Sequence, residues 1–145
     1  MRRRNLLQLA CAIMPIPAFI QPARAATPDA AKVAYHLADL DKVGFVLGNI
    51  RNHFNGMGGP ESVTIALVVH GPALKAFHIA EATPDTSHDL DDLRKSGLGL
   101  NACINTMRAQ NVTLKDLLPG FAVAAKGGVV RLAELQAQGY AYLRP

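Results

Sequence analysis

Cys103 is the side chain in this sequence best suited to covalent chemistry. It closes the run Leu98-Gly99-Leu100-Asn101-Ala102-Cys103, which has strand character, and directly precedes Ile104 to Gln110, a short stretch with helical spacing. A cysteine at such a junction faces unpaired backbone N–H groups and the positive end of a helix dipole, and both favour thiolate over thiol. A thiolate is a nucleophile. Asn101, Asn105 and Thr106 add polar donors where an inert, packed cysteine more often has Val or Leu. The competing reading is a buried thiol that behaves as a small hydrophobe.

Five histidines accompany it: His36, His53, His70, His78 and His88. His36 and His70 sit at the ends of two strand-like runs, and they converge near Cys103 if those strands are neighbours. Either could then stabilise the thiolate or supply a proton, with Gly71 in the turn beside them; the alternative is a histidine that only hydrogen-bonds a turn. His78, Asp85, His88 and Asp89 cluster in sequence, but their spacing fits no compact zinc pattern and a solvated acidic loop explains them, so no metal is expected. The chain has no GxGxxG, no GxxxxGK[ST] and no GxSxG, which removes the sequence support for dinucleotide binding, P-loop hydrolysis and α/β-hydrolase chemistry.

The elements that must position these residues alternate in type. Lys32 to Leu37 reads as a strand, and Asp39 to Asp41 supplies helix-starting oxygens. Val43, Val46, Leu47, Ile50 and Phe54 then recur at helical spacing, with Phe45 on the polar side. Ser62 to His70 is an almost unbroken β-branched run, the pattern of a central strand covered on both faces. Gly71-Pro72 opens a short helix. Glu81 to Asp92 is acidic and weakly apolar, and reads as a mobile surface loop leading into a short helical piece through Arg94 and Lys95. Asn111 takes the left-handed position that closes the helix after Cys103. A brief strand spans Phe121 to Ala124, and Gly127-Gly128 opens another helix. There Arg131, Glu134 and Gln138 form one narrow polar stripe and apolar residues cover the rest, which suggests burial by oligomer packing. Tyr140 to Leu143 ends the chain as a strand. The expectation is a three-layer α/β/α sandwich with a mainly parallel sheet of about five strands, which places Cys103 and His70-Gly71 at carboxyl strand ends.

At 145 residues the chain suits one domain. Its pI near 9.3 is misleading. Arg2, Arg3, Arg4 and Arg24 lie in the first 25 positions, which hold no acid, and the remainder has as many basic as acidic residues. With few aromatics as well, it offers no evident nucleic-acid surface. Residues 1–25 read as an export signal: a basic start, an apolar run from Leu6 to Ile20, then Ala23-Arg24-Ala25. Pro15 and Pro17 break that run, and its roughly 15 residues fall short of the roughly 20 a bilayer demands, so no stable membrane insertion is expected after cleavage. Arg3-Arg4-Asn5-Leu6-Leu7 resembles a twin-arginine signal without its flanking polar and lysine residues. Cleavage removes Cys11 and leaves residues 26–145 as a periplasmic or secreted domain in which Cys103 has no intramolecular disulfide partner.

Around Cys103 the sequence resembles the DsrE/DsrF-like proteins of the DsrEFH superfamily. Gly99 to Arg108 (GLNACINTMR) is similar to that family's strand, cysteine and short helix carrying a basic residue, Val68-Val69-His70-Gly71-Pro72-Ala73 to its second strand and turn, and Val130 to Tyr140 to the ending of exported, stand-alone members. The resemblance implies a sulfur carrier or sulfurtransferase. In it Cys103 accepts sulfane sulfur as a persulfide without a bound cofactor, from a donor and for a thiol acceptor that the sequence does not name, in a homo-oligomeric trimer or hexamer. Two other classes stay open: a small-ligand-binding or assembly module with Cys103 merely packed, and a thiol redox sensor that pairs Cys103 between subunits.

Overall fold

Val63–Val69 is apolar and β-branched almost throughout, and it forms the middle strand of a five-stranded sheet. The computed structural model describes residues 30–145; the export signal read at 1–25 lies outside the described residues. In chain order the elements are β1 (Ala31–Leu37), α1 (Val43–Gly56), β2 (Val63–Val69), a 3-10 segment (Gly71–Phe77), α2 (Pro84–Lys95), β3 (Gly99–Cys103), α3 (Ile104–Ala109), β4 (Phe121–Ala124), α4 (Gly128–Ala137) and β5 (Ala141–Leu143). Among the described residues no helix is long and apolar enough to cross a membrane.

The strand order is β4-β3-β2-β1-β5, and every pairing is parallel. Parallel neighbours require crossovers, and crossovers are right-handed. The steps from β1 through β4 all move the same way across the sheet, so α1, α2 and α3 stack on one face. The step from β4 back to β5 moves the opposite way, which puts α4 on the other face. The architecture is therefore a three-layer α/β/α sandwich. The chain leaves β3 and β4 toward opposite faces, so the crevice between their carboxyl ends is a topological switch point, where open α/β sheets bind ligands. Cys103 is the last residue of β3.

The two faces are unequally covered. On the first, 23 buried residues form one core, including Leu47, Ile50, Leu67, Leu74 and Phe77. On the second, only Ala34, Ala66, Val68, Leu132 and Leu135 are buried together, beneath the single helix α4. Within one chain the remaining apolar side chains of α4 are not covered: Val129 is 69% and Val130 41% exposed.

Two sequence expectations need correction. Glu81 to Asp92 is a loop only as far as Thr83, where α2 begins. Thr83 accepts the N–H of Thr86 at its own side chain, Pro84 takes the first turn, and Leu90 and Leu93 bury one face. Asp39 and Asp41 cap nothing with their side chains; Asp39 instead pairs with Arg144 at 3.3 Å. On the polar stripe of α4, Arg131 pairs with Glu134 and also turns its Nε to the buried Asn101.

Candidate functional site

Side chains alternate along a strand, so Leu100 and Ala102 enter the larger core while Asn101 and Cys103 face α4. By the same alternation His36 on β1 and His70 just after β2 face α4. Cys103 is the residue preceding α3, in extended conformation with φ −67° and ψ 121°. Across the switch point, Gly127 (φ +102°) and Gly128 bring the start of α4 against it. A Cβ on Gly128 would lie 3.2 Å from the Cβ of Cys103 and 3.3 Å from that of His70. Only a residue without a side chain lets the helix come this close.

Cys103 is 6% exposed, yet it is not sealed in hydrocarbon. It lines a cavity of about 300 Å³ with His70, Asn105, Thr106, Lys126 and Gly128. Burial pushes the thiol's pKa up. Against this, the N–H groups of Thr106, Gly128 and Asn105 and the Thr106 hydroxyl surround the sulfur, and together they hold the thiol below its ordinary value. The donors are spread over two helix starts, and none closes the single side-chain bond of a conventional N-cap.

The Thr106 hydroxyl is fixed from behind. Its oxygen accepts the N–H of Gly71 at 2.9 Å, which leaves the hydroxyl proton available to the sulfur. The Gly71 carbonyl in turn accepts Nε2 of Gln110 at 3.0 Å. Gly71 has φ +60°, a conformation glycine adopts without strain.

His36 and His70 meet through their Nε2 atoms, with the rings stacked at a centroid separation of 4.7 Å. Nδ1 of His36 contacts the Tyr142 hydroxyl at 2.6 Å. One hydrogen between two facing nitrogens fixes the tautomers together. If Tyr142 donates to His36, then His36 donates to His70 and Nδ1 of His70 carries a proton; the reverse order is equally consistent. Burial lowers both histidine pKa values. His36 is lowered further by His70 and Arg144, and His70 by Arg144, with Asp39 opposing in each case. The pair is therefore neutral at neutral pH and available as a proton acceptor.

The structure thus brings together Cys103, His70, Asn105, Thr106 and Gly71, with His36 one step behind His70. It does not bring Asn101 to the sulfur. That side chain donates to the Leu67 carbonyl at 3.4 Å, accepts Arg131, and lines a separate cavity. His53 bonds the Tyr35 hydroxyl, while His78 pairs with Glu81 and His88 with Asp92. Sequence reading missed Gly128, Gln110 and Tyr142. The Gly127-Gly128 pair after a strand was the available signal for the first; nothing local marks the other two.

Fold and site define a class: an all-parallel α/β/α domain that presents a polar-ringed cysteine at its switch point. No protein-family model matches the chain, and no curated protein does. Among solved structures, a protein of unknown function from Methanobacterium thermoautotrophicum is 30% identical, with a TM-score of 0.70, over 79% of this chain and 99% of that one. This chain belongs to the same family as that methanobacterial protein.

Proposed function

We propose that the protein is an exported, DsrE-like sulfur carrier in which Cys103 takes up sulfane sulfur as a persulfide and passes it to another thiol. The observation that carries this reading is the ring of N–H and O–H donors around a cysteine that opens into a cavity at the switch point. In the loading step the Cys103 thiolate attacks the outer sulfur of a donor R–S–SH. A new S–S bond forms, the donor's S–S bond breaks, and R–S⁻ leaves with the bonding pair, so Cys103–S–SH remains. Sulfur moves without a change of oxidation level, and no cofactor enters. The neutral histidine pair acts as a base: it takes the proton released as the attacking thiol becomes a thiolate and hands that same proton to the leaving thiolate.

Intact-mass measurement after exposure to a persulfide donor tests the reading. The wild type gains the mass of one sulfur and Cys103→Ser gains none. Equal behaviour of the two proteins removes the carrier chemistry and leaves a small-ligand-binding module of the same fold.

The exposed apolar side chains Val129 and Val130 at the start of α4 support a reading in which that surface is covered in a homo-oligomer of three or six subunits. A charge placed in such a contact is uncompensated. Light scattering on Val129→Glu is expected to show the monomer mass at concentrations where the wild type is larger; a monomeric wild type refutes the assembly.

A further inference from the structure

A second cavity adjoins the cysteine. It has a volume of about 280 Å³ and lies between α4 and β4, floored by the small side chains Ala122 and Ala124. Lys126 and Gly127 form a wall common to both cavities. Arg131 and Lys126 are its cations, and Glu134 its carboxylate. Lys126 first, and Arg131 after it, hold the Glu134 carboxyl below its usual range, so the carboxylate is charged at neutral pH and the trough carries one net positive charge.

The arrangement of Arg131 points to a ligand. An arginine that serves only to tie a helix to a carboxylate turns its paired N–H groups to it, two bonds side by side. Here Nε is spent on Oδ1 of Asn101 at 3.0 Å, and the distal nitrogen nearest Glu134 is 3.6 Å away. Glu134 gives its closer contact, 3.1 Å, to Lys126. Nη1 thus keeps only a long ion pair with Glu134, and Nη2 has no hydrogen-bond acceptor among the described residues. Asn101, 8% exposed in the middle of a strand, is a buried polar residue whose work is to hold that guanidinium over the trough.

We infer that this trough docks the anionic group, carboxylate or sulfonate, of a small sulfur compound whose sulfur reacts at Cys103. The inference rests on the carrier reading and adds the class of partner: a low-molecular-weight anionic persulfide or thiol. One end of the molecule lies on Arg131 and Lys126. The other passes the Gly127 wall to the thiolate.

Three methanethiosulfonates of similar size test it on the exported domain, residues 26–145, which contains Cys103 and not Cys11: one with a sulfonatoethyl arm, one with a neutral butyl arm and one with a trimethylammonioethyl arm, each rate divided by that of the same reagent with a free small thiol. In each the thiolate attacks the sulfenyl sulfur, an S–S bond forms to Cys103, and methanesulfinate leaves with the electron pair. The rate ratio of sulfonate to neutral reagent is expected to be about tenfold or more in the wild type, in the range electrostatic focusing gives. Raising the salt should erode that ratio, because the screening length shrinks from about 10 Å at 0.1 M to about 3 Å at 1 M. Within each variant, Arg131→Gln and Lys126→Gln lower the ratio, and Glu134→Gln raises it. A wild type that modifies equally fast with all three reagents overturns the docking site and leaves the carrier reading standing; a Cys103 that reacts with none removes both. The wild-type comparison decides the matter even where a variant does not fold.

Discussion

Gly128→Val is expected to slow sulfur uptake while leaving Cys103 in place. Its first side-chain atom would stand 3.2 Å from the Cβ of Cys103 and 3.3 Å from that of His70, tighter than ordinary packing, and the branches would need further space. Relief comes from moving the start of α4 outward, which withdraws the residue-128 N–H from the sulfur. Overpacking of this kind costs about 1–3 kcal/mol, and loss of one donor to the thiolate slows thiol chemistry by about three- to tenfold once its greater nucleophilicity is allowed for. Gly128→Ala should give the same signs at smaller size. Gly44→Ala is the control: no atom lies within 4 Å of its added Cβ, and exchanging glycine for alanine inside a helix gains about 0.5–1 kcal/mol. Thermal melting and thiol-labelling rates report the two effects separately. A Gly128→Val protein that melts and labels like the wild type would show that α4 does not press on the sulfur.

Thr106→Val is expected to slow the reaction of Cys103 at pH 6 by about three- to tenfold and to reverse that order in alkali. A hydrogen bond to a charged group is worth about 1.5–3 kcal/mol, so its loss lowers the thiolate fraction. The thiolate that remains is more basic and intrinsically more nucleophilic, which returns about half of the loss on a logarithmic scale. Above the pKa of both proteins only the second effect survives, and the variant reacts faster. Damage to the fold would depress both limbs. The sign for stability follows from the same shift. The folded thiol ionises below its unfolded value, so the thiolate's contribution is full above the unfolded pKa and is lost as pH falls through the folded one. Thr106→Val removes part of it, and Thr106→Ser, which keeps the hydroxyl, should restore the wild-type pH profile. Stopped-flow labelling from pH 5 to 10 measures the crossing; parallel profiles for valine and serine variants would rule out the hydroxyl as a partner of the sulfur.

Much of the framework was readable from local pattern. The stripe Val43, Val46, Leu47, Ile50 and Phe54 is the buried face of α1. Val63–Val69 is central, and Asn111 has the left-handed φ of 54° that its place after a helix required. Cys103 stands at the strand-to-helix junction because glycine, apolar and polar residues change period there. What local pattern lacks is the return of the chain across the sheet. The meeting of His36 with His70 depends on the pairing of β1 with β2, and Asn101 and Arg131 meet only because α4 crosses the opposite face. The helix α2 was hidden for another reason. Its composition is that of a polar loop, and only the Thr83-Pro84 start and the Leu90, Leu93 spacing reveal it.

The crossing helix has one more consequence. Its first turn touches the sulfur, and three residues beyond its last turn comes β5, an edge strand of only three residues whose Tyr142 contacts the His36 imidazole. Nucleophile and base are thus braced by opposite ends of a single bracket of chain. Fraying at the sheet's weakest margin loosens both at once, so the reactivity of the cysteine doubles as a gauge of how firmly the margin is zipped.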